Sequence, residues 1–325
     1  MSGYGATGIG PTGQQVRATE AVADPMAVKR TGGLWRDTFR NILRQRNAVV
    51  GLILLGFMLF VAVFADVLAT YPPDQVLIGV EQNVKKSSPP CIHLLGCPAD
   101  QPQHIMGTDS NVRDEFSRVV HGARISLFVG FVTVGVAIII GSLVGLVAGY
   151  VGGWTDNILM RIMDILLVFP ALLLAIAIVT ALGASLVNAQ MAIAMVAIPI
   201  YARVMRASVL SVRESDYLTA SKALGESSVG LLFRRILPNA TTPLIVAGTL
   251  GIAGAVLDVA ALSFLGLGAQ PPLAEWGSMI ALESGRLFTA PHLIFFPGVA
   301  LIITVFGFNL LGDGIRDALD PRLNR

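Results

Sequence analysis

The sequence predicts an all-α integral membrane protein with six transmembrane helices and both termini on the cytoplasmic side. Three observations carry this expectation: an apolar composition, long runs without charge, and an uneven distribution of Lys and Arg. Of 325 residues, 54% are hydrophobic and 14% charged, against about 45–50% and about 25% in soluble domains. The mean hydropathy is +0.70. A net charge of +2 says nothing about nucleic acid; no nucleic-acid partner is expected, and the apolar composition implies membrane lipid as the surroundings.

Residues 1–33, rich in Gly, Thr and Ala, lack the apolar core of a secretory signal and read as a disordered cytoplasmic tail. Within 34–70, "LWRDTFRNILRQRNAVV" is a basic amphipathic segment suited to the inner membrane surface. It leads into the first span, from about Asn47 to Leu68. Residues 71–124 read as an extracytoplasmic loop, and the second span covers about Ile125 to Tyr150. No charge stands between Asp164 and Arg203, a run too long for one helix. Leu182-Gly183-Ala184-Ser185 divides it into a third and a fourth span. The fifth covers about Thr242 to Phe264 and the sixth about Leu293 to Leu311, followed by a cytoplasmic tail at 313–325. None of these runs alternates, which excludes barrel strands. Segments 1–46, 151–163, 203–240 and 312–325 hold 17 of the 23 basic residues, so the positive-inside rule places them in the cytoplasm.

One polar stretch between the fourth and fifth spans, residues 214–238, is structured: "YLTASKALGESSVGLLFRRILP". Ser215 suits an N-cap and Asp216 the positive end of a helix dipole. Tyr217, Ala220, Ser221 and Leu224 follow at i, i+3, i+4 and i+7, one face of a short helix. Gly225 is placed to end it as a left-handed residue. Ser227 or Ser228 opens another turn, and Pro238 bars simple continuation into the fifth span. Small side chains on such a face suit insertion into a partner's groove. From the residues alone, a helix that only decorates the loop is an equal reading.

"YLTASKALG…ILP" resembles the EAA loop of ABC-importer permeases, with Ala220 and Ser221 at the paired alanines and Gly225 at the following glycine. Tyr217 stands where the general motif has Glu, as in the peptide-importer branch. "MGTDSNVRDEFSRVVHGARISL" resembles the entry to the second span in the C-type subunits of oligopeptide and dipeptide permeases. Asp109, Arg113, Asp114, Ser117, Arg118, Gly122 and Arg124 fall in matching places. "LSFLGLGAQPPLAEWGSMI" and "GDGIRDALDPRL" resemble later signatures of that family, and residues 34–70 its N-terminal domain. Two positions depart: members usually carry Gly near Val112, so the turn there is expected to differ in shape, and they tend to carry Glu where Val259 stands, with Asp258 one residue earlier. A charge in a span is often functional; a helix end facing water is the other reading of Asp258.

The resemblance implies a type I ABC-importer permease fold, with residues 125–312 as the transmembrane domain. It implies that Tyr217, Ala220, Ser221, Leu224, Gly225, Leu237 and Pro238 form the element that docks on the ATPase. Implied partners are a homologous second permease subunit, two cytoplasmic ATP-binding subunits that hold ATP and Mg, and an extracytoplasmic peptide-binding protein. Small peptides are the implied cargo; nickel chelates or glutathione, carried by the same family, are alternatives. A secondary transporter would need ion-coupling charges or broken helices at mid-membrane.

No catalytic constellation accompanies this. There is no G-x-x-x-x-G-K-[ST], so this chain cradles no nucleotide phosphates. Ser263 lacks the context of a hydrolase nucleophile, and "GLVAGYVGG" ends an apolar span, where glycine serves helix packing. Beside the family pattern, residues 91–103 look inserted. They contain Cys91 and Cys97, the only cysteines, for which a disulfide is expected outside the cytoplasm; metal binding by Cys91, His93 and Cys97 is the sharper alternative.

Overall fold

The structure, a computed structural model, describes residues 42–98 and 100–319. The expected tail at 1–33, the basic segment as far as residue 41, and residues 320–325 lie outside the described residues. In chain order the longer helices are α1 (Arg46–Val63), α2 (Glu115–Val151), α3 (Gly153–Val168), α4 (Ala171–Leu182), α5 (Leu186–Arg213), α6 (Asp216–Ala223), α7 (Thr242–Phe264), α8 (Trp276–Glu283) and α9 (His292–Leu319). Among the described residues there is no strand; isolated bridges such as Cys91–His104 and Thr108–Asp114 fold the segment between α1 and α2.

Among the described residues five helices are long and apolar enough to cross a membrane: α1, α2, α5, α7 and α9. The third expected span departs from a straight helix. It is the pair α3 and α4, bent by 92°. Pro170 explains the break. Phe169 before it is extended, at φ −83° and ψ 140°, because the proline ring disfavours helical geometry at the preceding residue. Residues 151–163, expected as a cytoplasmic segment between spans, are helical except at Gly152, whose φ of +72° separates α2 from α3. α3 is amphipathic. Trp154, Ile158, Ile162 and Ile165 are exposed, while Asp156 and Asp164 pair with Arg206 and Arg203 of α5.

α2 also begins ten residues before its apolar run. Asp114 is its N-cap, accepting from the Ser117 amide at 2.8 Å, so residues 115–124 belong to the helix and not to the expected loop. At 37 residues it is about 55 Å long, well beyond a hydrocarbon core of about 30 Å.

The main helix contact is α2 against α5, and it rests on glycine. Gly141, Gly145 and Gly149 recur every fourth residue, and a Cβ on Gly145 would lie 2.2 Å from the Ala202 carbonyl oxygen. Such spacing lets two backbones approach where side chains would hold them apart. α1 meets α9 in the same way, Gly314 lying against Ala48.

Candidate functional site

The polar stretch after α5 folds as one tethered element. Arg213, the last residue of α5, donates to the carbonyl of Tyr150 at 3.1 Å. Leu218 is the buried residue of α6 and lines a small recess with Tyr150, Leu231 and Ile236. Of the predicted docking residues, Tyr217 and Ala220 of α6 and Leu224 just past its end are exposed, Leu224 by 88%, while Ser221 is half-buried. Ser215 occupies the cap position, but its hydroxyl donates back to the Val212 carbonyl at 2.6 Å and does not cap α6. α6 ends at Gly225, φ +84°. Its N–H reaches the Lys222 carbonyl and that of Glu226 the Ser221 carbonyl, the paired bonds of a Schellman motif.

Of the two serines, Ser227 opens the second half, its hydroxyl accepting from the Gly230 amide at 3.2 Å. Residues Leu231–Ile236 then form a wide π turn, and the helical path passes Leu237 and Pro238 as Leu237–Ala240. The expected stop at Pro238 therefore falls later, at Thr241. The widened turn accommodates a residue with no N–H to donate. Val229 and Phe233 are exposed beside Leu224 in sequence, and Asn239 donates to the Tyr217 hydroxyl at 3.3 Å, tying the two halves together.

At the opposite end, the entry motif is a buried network. Asp109 accepts from the Arg113 side chain at 2.6 Å and from the Asn111 and Arg113 amides. Arg118 is 1% exposed and donates to the Pro73 carbonyl at 2.8 Å, with Asp109 at 3.7 Å. Arg124 stands apart, donating to the Ala62 carbonyl and to Asp66. Val112 takes the turn that glycine would favour, at φ +59°.

Asp114 also receives His104 Nδ1 at 2.9 Å, and Nε2 of the same ring lies 3.1 Å from Glu81. The Tyr71 hydroxyl donates to Glu81. Burial works against the charged imidazole, but the hydrogen bond and charge of Asp114, with the charge of Glu81, outweigh it and raise its pKa. Burial and the Glu81 hydrogen bond push Tyr71 up to about 12.

The segment after α7 closes over this network. Trp276 is wholly buried; its indole donates to the Val119 carbonyl at 3.0 Å and fills the space over Gly122. Glu275 caps α8 through the Gly277 and Ser278 amides. Glu283 accepts from Ser110 and Arg286. Glu81, His104 and Glu283 were not among the residues singled out from sequence, because isolated charges in a loop carry no pattern. Trp276 stood inside the quoted signature after the fifth span without a role.

Cys91 and Cys97 are bonded to each other, with Cα atoms 5.4 Å apart. The bond removes both as thiolate ligands, and His93 Nε2 lies 2.8 Å from the Gln101 carbonyl. Among the described residues no three His, Cys, Asp or Glu side chains gather as a metal site.

Residues 141–325 match the family model described as binding-protein-dependent transport system inner membrane component. Residues 33–90 match that of the N-terminal TM domain of oligopeptide transport permease C. The chain belongs to the binding-protein-dependent inner-membrane permeases. Among similar members of this permease family, the dipeptide transport system permease protein DppC of Alkalihalophilus pseudofirmus is 44% identical, over 89% of this chain and 90% of that protein. The glutathione transport system permease protein GsiD of Pectobacterium atrosepticum is 39% identical over 89% of this chain and 91% of that one. A solved structure titled as an inward-facing conformation of the MetNI methionine ABC transporter aligns with a TM-score of 0.52 and 20% identity. It covers 62% of this chain and 97% of that one and speaks to the fold alone. The permease is thus a multi-pass inner-membrane component.

Proposed function

We propose that this permease is one of two membrane-spanning subunits of an ATP-driven importer for small peptides. The observation that carries the reading is the 44% identity to a dipeptide permease across nine-tenths of both chains. An extracytoplasmic binding protein delivers the peptide, which passes between this chain and a homologous permease. Two cytoplasmic subunits bind ATP and Mg and drive the switch between outward- and inward-facing states. α6 is the docking element, with Tyr217, Ala220 and Leu224 offered to the ATPase and Leu218 anchoring them to the ends of α2 and α5. The basic bias of 203–240 supports a cytoplasmic position for this loop. A disulfide at the other end supports an oxidising, extracytoplasmic setting there.

The test is uptake of a labelled dipeptide into proteoliposomes carrying the full complex. ATP inside, where the ATPase faces, and binding protein on the opposite side should both be required. Uptake that persists without the ATPase subunits overturns the reading in favour of a secondary transporter. The 39% identity to a glutathione permease makes glutathione the second cargo to measure; preference for it over dipeptides moves the substrate but leaves the mechanism.

A further inference from the structure

α7 carries one charge in 23 residues, Asp258. It lies six residues before the helix end, about 9 Å inside it. The loop that follows folds back onto the helix: Ser263 accepts from the Ala269 amide, and Gly268 is packed against Ser263. Asp258 is nonetheless exposed. Among the described residues it has no ion-pair or hydrogen-bond partner. It belongs to an open stripe of Gly254, Leu257 and Asp258, with Ala261 half-buried at its edge, and a Cβ on Gly254 would meet nothing within 4 Å. This stripe differs from the other uncovered faces. α1 exposes Ile53, Phe57 and Phe60, and α9 exposes Phe295, Ile302 and Phe306, bulky groups suited to hydrocarbon.

A carboxylate against lipid is costly, and intramembrane charges face protein or a water-filled cavity and find a counter-charge there. We infer that the Asp258 stripe lines the translocation path and that the Asp258 carboxylate receives a primary ammonium group, the amino terminus of the passing peptide. The inference rests on the peptide reading above. A path that admits peptides of differing side chains meets in all of them one constant cation, the terminal ammonium. Small neighbours at Gly254 and Ala261 leave room for the backbone that follows it.

The test uses the assembled complex in proteoliposomes with saturating binding protein. Asp258→Asn should still recover both ATPase subunits and retain ATP hydrolysis stimulated by loaded binding protein. Dipeptide uptake should fall about tenfold or more, the scale of one lost charge-assisted hydrogen bond. Asp258→Glu should restore most of it. In a second experiment, Asp258→Cys should react with a cationic, water-soluble thiol reagent, and dipeptide supplied with binding protein and ATP should slow that reaction. Wild-type uptake by Asp258→Asn overturns the proposal. So does an Asp258→Cys thiol that stays unreactive, which places the stripe against lipid or protein. Loss of assembly in Asp258→Asn but not Asp258→Glu assigns the charge to the second permease and also overturns it. If the unaltered complex imports no dipeptide, the peptide reading itself fails.

Discussion

Gly225 and Val112 both occupy left-handed backbone, and the two positions call for different treatment. At Gly225 a Cβ would meet open space, so the cost of a side chain there is conformational, on the order of 1–2 kcal/mol for a β-branched residue. Gly225→Val should weaken ATPase docking and abolish uptake while the subunit stays membrane-inserted; Gly225→Asn, tolerated in this conformation, should retain both. Ala220→Glu should behave like Gly225→Val by a different route, placing an unpaired charge on the docking face. Glu226→Ala should matter little, because Glu226 lies past the end of α6 and its 3.3 Å pair with Arg235 is open to solvent on the arginine side, where such pairs contribute about 0–1 kcal/mol. ATPase recovered on membranes, set against uptake, separates the four. An Ala220→Glu subunit that transports normally with its full ATPase complement removes α6 from the coupling role.

Val112 is 1% exposed. Replacing it with Gly would relieve about 1–2 kcal/mol of backbone strain but lose about 1.5–3 kcal/mol of side-chain burial, with a further entropic cost of about 0.5–1 kcal/mol. Burial wins, so Val112→Gly should lower the thermal midpoint of the purified protein; a rise would show that strain dominates.

His104 gives the buried network at the start of α2 a pH dependence. Its folded pKa is raised above the ordinary value of about 6.5. Its contribution is therefore fully present below about 6.5 and is lost as the pH rises through the folded value. Hydrogen exchange of peptides covering 77–114 should be faster, relative to the intrinsic rate, at alkaline pH than near pH 6. His104→Gln should flatten that dependence, and an unchanged profile in the variant would assign it elsewhere.

Among the helices, α2 and α5 define the most demanding contact, and α2 contains its own control. Gly145→Val would drive a side chain into the Ala202 carbonyl, whereas a Cβ on Gly135 meets nothing within 4 Å. Gly145→Val should leave little folded subunit in detergent, and Gly135→Val should be recovered at normal yield. Equal recovery of the two would mean that α2 and α5 do not pack through these glycines. The α3–α4 pair belongs to the same scale. Asp156 and Arg206 meet through two contacts of 2.5 and 2.6 Å, which fasten α3 to the end of α5 that leads into α6. Movement of α6 thus has a short covalent and ionic route into the bent pair.

For the molecule as a whole, the two ends are built differently. The end at which α2 begins is closed by buried ion pairs, a buried tryptophan and a disulfide; the other presents a short helix with one buried leucine and an exposed apolar rim. That asymmetry suits the arrangement proposed above, with delivery by a binding protein at the first end and ATPase docking at the other. The chain carries no P-loop, so purified alone it should neither bind nor hydrolyse ATP. It should do both only in fractions that contain its ATPase partners. ATP turnover by the isolated chain, free of contaminants, would contradict the division of labour proposed here.

Hydropathy and local capping determined much of this protein without tertiary information. Uninterrupted apolar runs can be buried only in lipid or in other helices, so five spans were legible. Gly225 ends α6 because glycine adopts φ +84° without strain, a local fact that a sequence carries. The ends of elements and the path of the third span were decided by structure. Asp114 extends α2 outward because its carboxylate finds the Ser117 amide. Pro170 turns α4 away from α3 while Arg203 and Arg206 hold α3 from the side. The pairing of His104 with Glu81 and Asp114, and of Trp276 with Val119, joins residues far apart in the chain. Such contacts leave no periodic trace, because burial energy depends on which surfaces meet and not on the spacing of residues along one helix.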